Sequence, residues 1–277
     1  MKLSDIKNAF ELGLKGVYDE HEAEIILKYL LEDLFAIKPN PTIDIEEHKA
    51  KELLKILDDL KVGKPVQQII GKADFYGYKF IVNEHVLIPR PETEELVHEI
   101  VKYHKHQNVS VLDIGTGSAC ISVSIKKGIP EAIVYAIDVS REALTVAKQN
   151  ALMNGVDIDF YLDDALNLDA EKYPFFDVIV SNPPYIRESE KKEMHSNVLS
   201  FEPHLALFVK DKDPLIFYDK ISDFALKRLN KGGFLYFEIN QYLAKETEDL
   251  IHKRGFKTLL IKDINSNFRI LKAQLLG

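Results

Sequence analysis

The chain has 277 residues, 46% of them hydrophobic and 29% charged, with a net charge of −8; this is an ordinary globular makeup, with room for one large domain or a moderate one plus a small one. The acid excess is even, −4 on either side of residue 84, and the first part holds twelve lysines and no arginine, which argues against a broad nucleic-acid platform. One cysteine, Cys120, excludes an internal disulfide and a multi-cysteine zinc site and fits a cytoplasmic setting; no apolar run reaches the ~18 residues of a membrane helix, and "MKLSDIKNAFELGLKG" lacks a secretory core.

Up to about residue 70 the periodicity is helical. "DEHEAEIILKYLLEDLF" (19–35) sets Ile26, Tyr29, Leu30 and Leu34 three and four apart behind a candidate cap, Asp19. "IEEHKAKELLKILDDL" (45–60) repeats the pattern with Ala50, Leu53, Leu54 and Leu57. "PVQQIIG" reads as a short helix closed by Gly71, and "DFYGYKFIV" with "HVLIPR" reads as a hairpin turning at Gly77. From about residue 91 strands and helices alternate. A helix "PETEELVHEIVKYHK" starts at Pro91, followed by strand 109–114, helix 118–127, strand 132–138, helix "REALTVAKQNALMN", and strands "IDFYL" and "FDVIVS". A helix from Pro214 to about Leu229 with Asp213 as cap, strand "KGGFLYFEI", a helix near 241–254, and strands "KTLLIKD" and "RILKAQL" complete the chain. This order predicts an α/β fold, a doubly wound and mostly parallel sheet. The loop between the last two strands is so short that one of them must run antiparallel.

"VLDIGTGSAC" places Gly115 and Gly117 between the first strand of this sheet and its helix. Glycines there let the backbone approach a ligand at the carboxyl ends of the strands, although many such loops are only turns. Asp138 closes the next strand, 23 residues after Gly115, where an acidic side chain accepts both hydroxyls of a ribose. Cys120 stands where a dinucleotide fingerprint has its third glycine, so the pocket reads as adenosine-like rather than as a site for a nicotinamide dinucleotide. Asp163 and Asp164 follow the third strand. Either can accept from an adenine amine or serve as a loop cap, and the position favours Asp164.

"SNPPYI" ends the fourth strand. Pro183 and Pro184 lack an N–H and cannot continue the sheet ladder, so their carbonyls and the carboxamide oxygen of Asn182 form an acceptor-rich, donor-poor corner. Such a corner can take both hydrogens of a substrate –NH2, and the Tyr185 ring can lie against a planar amide or base. A strand-ending turn explains the prolines alone; a glycine loop and Asp138 in the same sheet favour the amine grip.

Together the two motifs resemble those of S-adenosylmethionine-dependent methyltransferases acting on a conjugated nitrogen. A narrower resemblance rests on "IPRPETEELV" (88–97), "LDIGTGSACIS" (112–122), "SNPPYI" (181–186), "FEPHLALF" (201–208) and "GGFLYFEI" (232–239), which occur in the order seen in the PrmC/HemK family. The similarity runs along roughly the whole chain. It implies a helical N-terminal substrate-recognition domain (1–72), a β-hairpin linker (73–90) and a seven-stranded methyltransferase domain (91–277). It also implies methylation of the side-chain nitrogen of the glutamine in the Gly-Gly-Gln loop of peptide chain release factors, by a cytoplasmic monomer needing no metal. By the same resemblance Gly115, Thr116, Gly117, Ser118, Ala119 and Asp138 would hold S-adenosylmethionine, with Asp164 and Ala165 at the adenine. Asn182 would bridge cofactor and substrate, Pro183, Pro184 and Tyr185 would complete the glutamine grip, and Arg90, Glu92 and Thr93 would line the substrate side. The last three also fit a local ion pair and helix start.

Ala119, Asn240 and Ala165 depart from residues common in that family, and "VKDKDPL" lacks its glycine-rich stretch; these changes bear on cofactor affinity more than on reaction type. A methyltransferase acting on DNA adenine N6 or ribosomal guanine N2 would use the same grip but calls for a basic recognition surface. A nicotinamide oxidoreductase would leave "NPPY" without a purpose, and a silent adapter would not bind S-adenosylmethionine.

Overall fold

The computed structural model describes residues 1–40, 43–194 and 196–276. The chain forms two compact units, Met1–Lys72 with Met194–Glu202, and Ala73–Glu193 with Pro203 onward.

In the first unit, α1 (Leu3–Leu14), α2 (Glu20–Phe35) and α3 (Glu47–Lys61) bury one apolar face each around a shared core, and α4 (Val66–Ile70) packs Val66, Ile69 and Ile70, half-buried, against it. Asp19 caps α2 through a reciprocal box: its Oδ1 accepts from Glu22 N–H at 2.8 Å, and Glu22 Oε2 accepts from Asp19 N–H at 3.0 Å. Gly71 ends α4 in the left-handed region at φ 73°. α1 was not singled out from the sequence, yet Leu3, Ile6, Phe10 and Leu14 are its buried stripe at helical spacing. In α3, Ile56 is buried and Leu54 only partly so, a rotation of the expected face by part of a turn.

The second unit opens with a hairpin, β1 (Lys72–Phe75) and β2 (Tyr78–Ile81). Its two turn residues, Tyr76 and Gly77, have φ of 50° and 79°, the sign that a tight hairpin turn requires at both positions. "HVLIPR" is not a strand. Pro89 breaks the ladder pattern, and the segment instead packs Val86 and Ile88 on Ala143 and Val146.

There follow α5 (Pro91–His104), β3 (Ser110–Ile114), α6 (Cys120–Gly128), β4 (Ile133–Asp138), α7 (Arg141–Met153), β5 (Asp159–Leu162), β6 (Phe176–Ser181) and the short β7 (Ile186–Arg187). α8 (Ser196–Phe201) lies in the segment grouped with the first unit, where the Gln68 amide donates to the Phe201 carbonyl at 2.7 Å. β8 (Phe208–Val209), α9 (Ile216–Arg228), β9 (Leu229–Glu238), α10 (Ala244–Lys253), β10 (Phe256–Lys262) and β11 (Phe268–Leu275) finish the chain. The seven strands lie in the order β10-β11-β9-β6-β3-β4-β5. β11 is the antiparallel strand, paired with β10 on one side and β9 on the other.

Both sheet faces are covered, so buried residues alternate between two cores. Val111 and Val178 face one, Leu112 and Ile179 the other. α9 starts at Ile216 with Leu215 as its N-cap rather than at Pro214 with Asp213; the Asp213 carbonyl accepts from Ile216 N–H at 3.4 Å, a turn ahead of the helix. The chain leaves β3 for β4 and β5, then crosses back to β6 on the other flank. Loops after β3 and β6 therefore diverge, and this opens a crevice at the carboxyl ends of the strands. No helix among the described residues is long and apolar enough to cross a membrane.

Candidate active site

The loop after β3 hangs from the end of β4. Gly115 and Thr116 donate their N–H groups to the Ile137 carbonyl, both at 2.9 Å, and Gly117 donates to Asp138 Oδ2 at 2.8 Å. Gly115 and Gly117 have φ of 77° and 54°, and nothing lies within 4 Å of where a Cβ would stand on either. Ala119, fully buried, also takes a left-handed φ of 63°. Glycine is free to adopt that conformation, and a side chain there costs roughly 1 kcal/mol. Asn150 on α7 steadies the far side of the loop. Its Nδ2 donates to the carbonyls of Ser118 and Ile81, both at 2.9 Å, and its Oδ1 accepts from Ile81 N–H at 2.6 Å.

Asp138 accepts from Gly117 N–H on one oxygen and from Ser140 N–H on the other at 2.9 Å. Burial raises its pKa above the ordinary carboxylate range, and these backbone donors oppose the rise. Asp113, at the end of β3, is fully buried; desolvation pushes it up to about 6 against the Thr116 and Ser122 hydroxyls, helped by the nearby Asp138 charge. The folded chain thus binds this proton more tightly than the unfolded chain. The charged side chain penalises folding by about 3 kcal/mol above pH 6, and the penalty fades as pH falls toward 3.8. Thermal unfolding of the cofactor-free protein should show Asp113→Asn more stable than wild type at pH 7.5, with the gap closing by about pH 4. A pH-independent gap would contradict this origin.

The glycine loop and Asp138 border a cavity of about 400 Å³ within the second unit. Gly115, Thr116, Gly117, Ser118 and Asp138 line one side, with Asp164 and Ala165 beyond them. Asn182, Pro183 and Pro184 line it after β6, and Arg90 and Thr93 at the start of α5. Ala119, Glu92 and Tyr185 are not on its wall. The Asp164 carboxylate also works locally, accepting from Leu166 N–H at 2.9 Å and from the Asn167 amide at 2.7 Å. Asp163, likewise at the wall, accepts from the Tyr173 hydroxyl at 2.7 Å. Cys120 borders the cavity, but burial pushes its thiol up to about 12, which keeps it a thiol.

Behind the NPPY corner lies a network that sequence reasoning did not assign. Thr93 Oγ1 donates to Glu238 Oε2 at 2.6 Å and accepts from Asn182 Nδ2 at 3.3 Å. The Tyr185 hydroxyl donates to Glu238 Oε1 at 3.1 Å, and the Asn240 amide donates to the Tyr185 carbonyl at 3.1 Å. Glu238 is 2% exposed, and burial raises its pKa against the hydrogen bond from Thr93 and the charge of Arg269. Tyr185 is raised far above an ordinary phenol, first by burial and then by the Glu238 charge, so it stays a donor. A visible signal existed: "FLYFE" carries an acid at the tip of an otherwise apolar strand.

The cavity fits an adenosine-bearing ligand. Two left-handed glycines leave open room at its wall, a carboxylate follows at the tip of the next strand, and another acid stands one strand further on. No group of three or more His, Cys, Asp or Glu able to hold a metal occurs among the described residues.

Residues 92–201 match the methyltransferase small domain family. The chain is 46% identical to the release factor glutamine methyltransferase of Flavobacterium psychrophilum, covering 98% of this chain and 99% of that protein. It is 40% identical to the protein of the same name from Bacteroides thetaiotaomicron, over 94% and 96%. A methyltransferase of known structure from Pyrococcus furiosus is 18% identical and superposes with a TM-score of 0.54, covering 82% of this chain and 99% of that one; the likeness is one of fold.

Proposed function

The chain belongs to the release factor glutamine methyltransferase family, and on that premise we propose that it methylates the side-chain nitrogen of the glutamine in the Gly-Gly-Gln loop of peptide chain release factors, with the NPPY corner as its grip. The observation carrying this reading is that the glycine loop, Asp138 and residues 182–184 line one cavity. Gly115 to Ser118 and Asp138 would hold the cofactor's methionine and ribose parts, and Asp164 with Ala165 its adenine. S-adenosylmethionine supplies an electrophilic methyl on a sulfonium whose departure leaves a neutral thioether.

An amide nitrogen is a poor nucleophile because its lone pair is delocalised into the carbonyl. Asn182 Oδ1 and the Pro183 carbonyl accept the two hydrogens of the substrate –NH2, which returns electron density to nitrogen and fixes its line of approach. Pro184 keeps the corner free of competing N–H donors. Tyr185, off the cavity wall and tied to Glu238, stiffens the segment from behind. Arg90 and Thr93, on the cavity wall, would line the substrate side. Walls excluding water around the nitrogen favour charge dispersal as the methyl moves, and the surplus proton leaves afterwards to solvent. Residues 1–72 serve as the release-factor recognition domain, 73–90 as its joint, and the enzyme works as a cytoplasmic monomer.

Incubation with methyl-labelled S-adenosylmethionine and a release factor is expected to label the factor. Changing its loop glutamine to alanine is expected to abolish the label. Label entering DNA or RNA instead would overturn the substrate assignment.

A further inference from the structure

Asn182 can serve the grip only if its carbonyl oxygen, and not its –NH2, faces the substrate. A carboxamide is nearly symmetric in shape, so something must choose between the two orientations.

We propose that Thr93 and Glu238 make that choice, as positioning residues acting through Asn182; the proposal rests on the reading of Asn182 as the amide grip. Proton directions decide between the two orientations. An ionised carboxylate only accepts, so the hydroxyl proton of Thr93 points to Glu238 Oε2, 2.6 Å away. Thr93 Oγ1 then has only lone pairs for its other neighbour, Asn182 Nδ2 at 3.3 Å. The opposite orientation would set the amide oxygen against those lone pairs and leave the –NH2 aimed at another –NH2. Oδ1 is therefore the atom left for the cavity that Asn182 and Thr93 both line.

The chain is well placed to be rigid. Thr93 and Glu238 are each 2% exposed, so neither hydroxyl nor carboxylate can turn to water instead. Glu238 sits at the end of β9, where its second oxygen accepts from Tyr185, at 3.1 Å. One carboxylate thus anchors both outer members of the NPPY corner, Tyr185 directly and Asn182 through Thr93. Arg269 on β11 favours its anion, opposing the burial that raises its pKa.

Thr93→Val keeps the shape and removes the hydroxyl. It is expected to lower kcat about 10- to 100-fold, with the Kd for S-adenosylmethionine in calorimetry within about threefold of wild type. Thr93→Ser, which restores the hydroxyl, should recover most of the turnover. In an Asn182→Ala background Thr93→Val should add no further loss, because the orientation it controls is gone. Glu238→Gln lets the Thr93 hydroxyl point either way and should lower kcat about tenfold, which keeps the proposal testable should Thr93→Val not fold. Wild-type kcat in Glu238→Gln or in Thr93→Val, or the same fractional loss with and without Asn182, would overturn it. Should Asn182→Ala itself stay fully active, the grip fails first; should Asn182→Ala fail while Thr93→Val works normally, only the orientation argument falls.

Discussion

Asn182→Ala is expected to lower kcat on a release factor by about 10²- to 10³-fold, the range seen when one preorganised polar contact to a reacting group is removed. The loss should fall on kcat because the contact gains strength as positive charge develops on the attacking nitrogen. The Kd for S-adenosylmethionine should rise less than about tenfold, as for one neutral hydrogen bond. Stability should change little. Asn182 is half-buried, and its one hydrogen bond within the described structure is the long contact to Thr93. Rapid-quench single turnover with saturating cofactor separates these effects. A raised Kd with kcat unchanged at saturating cofactor would instead make Asn182 a binding residue only, and remove the grip.

Much of the site was legible because it is local in sequence. Gly115, Gly117 and Asp138 belong to successive strand ends, so alternation of strands and helices suffices to bring them to one edge. Pro183 and Pro184 announce an end of pairing by chemistry that needs no tertiary information. The Glu238–Thr93–Asn182 chain was not legible in the same way. Its members are separated by 89 and 145 residues along the chain, and only the placement of β9 beside β6, with α5 against the same sheet end, makes them neighbours. Asn150 was missed for a related reason: on a helix surface it reads as a solvated amide, whereas it is buried and holds Ile81 and Ser118. The strand expected at "HVLIPR" failed because short apolar alternation also describes an irregular segment whose alternate residues pack on a helix. Ala119 shows the reverse, a departure visible in sequence whose meaning needed its φ angle.

Asp138→Ala is expected to separate cofactor binding from chemistry in the opposite sense to Asn182→Ala. Its carboxylate would hold the ribose hydroxyls, and it already fixes the glycine loop through Gly117 N–H and the start of α7 through Ser140 N–H. Charge-assisted hydrogen bonds of this kind contribute about 1.5–3 kcal/mol each, so removing the acceptor should raise the Kd for S-adenosylmethionine about 100-fold or more. The residue lies at the β4 end of the cavity, away from the NPPY corner after β6, so kcat at saturating cofactor should stay within a few-fold of wild type. Asp138→Asn tests the charge alone. Its oxygen can still accept from Gly117, but its –NH2 would confront Ser140 N–H, donor against donor. The asparagine variant should therefore bind between wild type and alanine. Calorimetric titration of all three proteins with S-adenosylmethionine reads the order directly; unchanged affinity in Asp138→Ala would mean that the ribose is held elsewhere and that the glycine loop needs no anchor at the β4 tip.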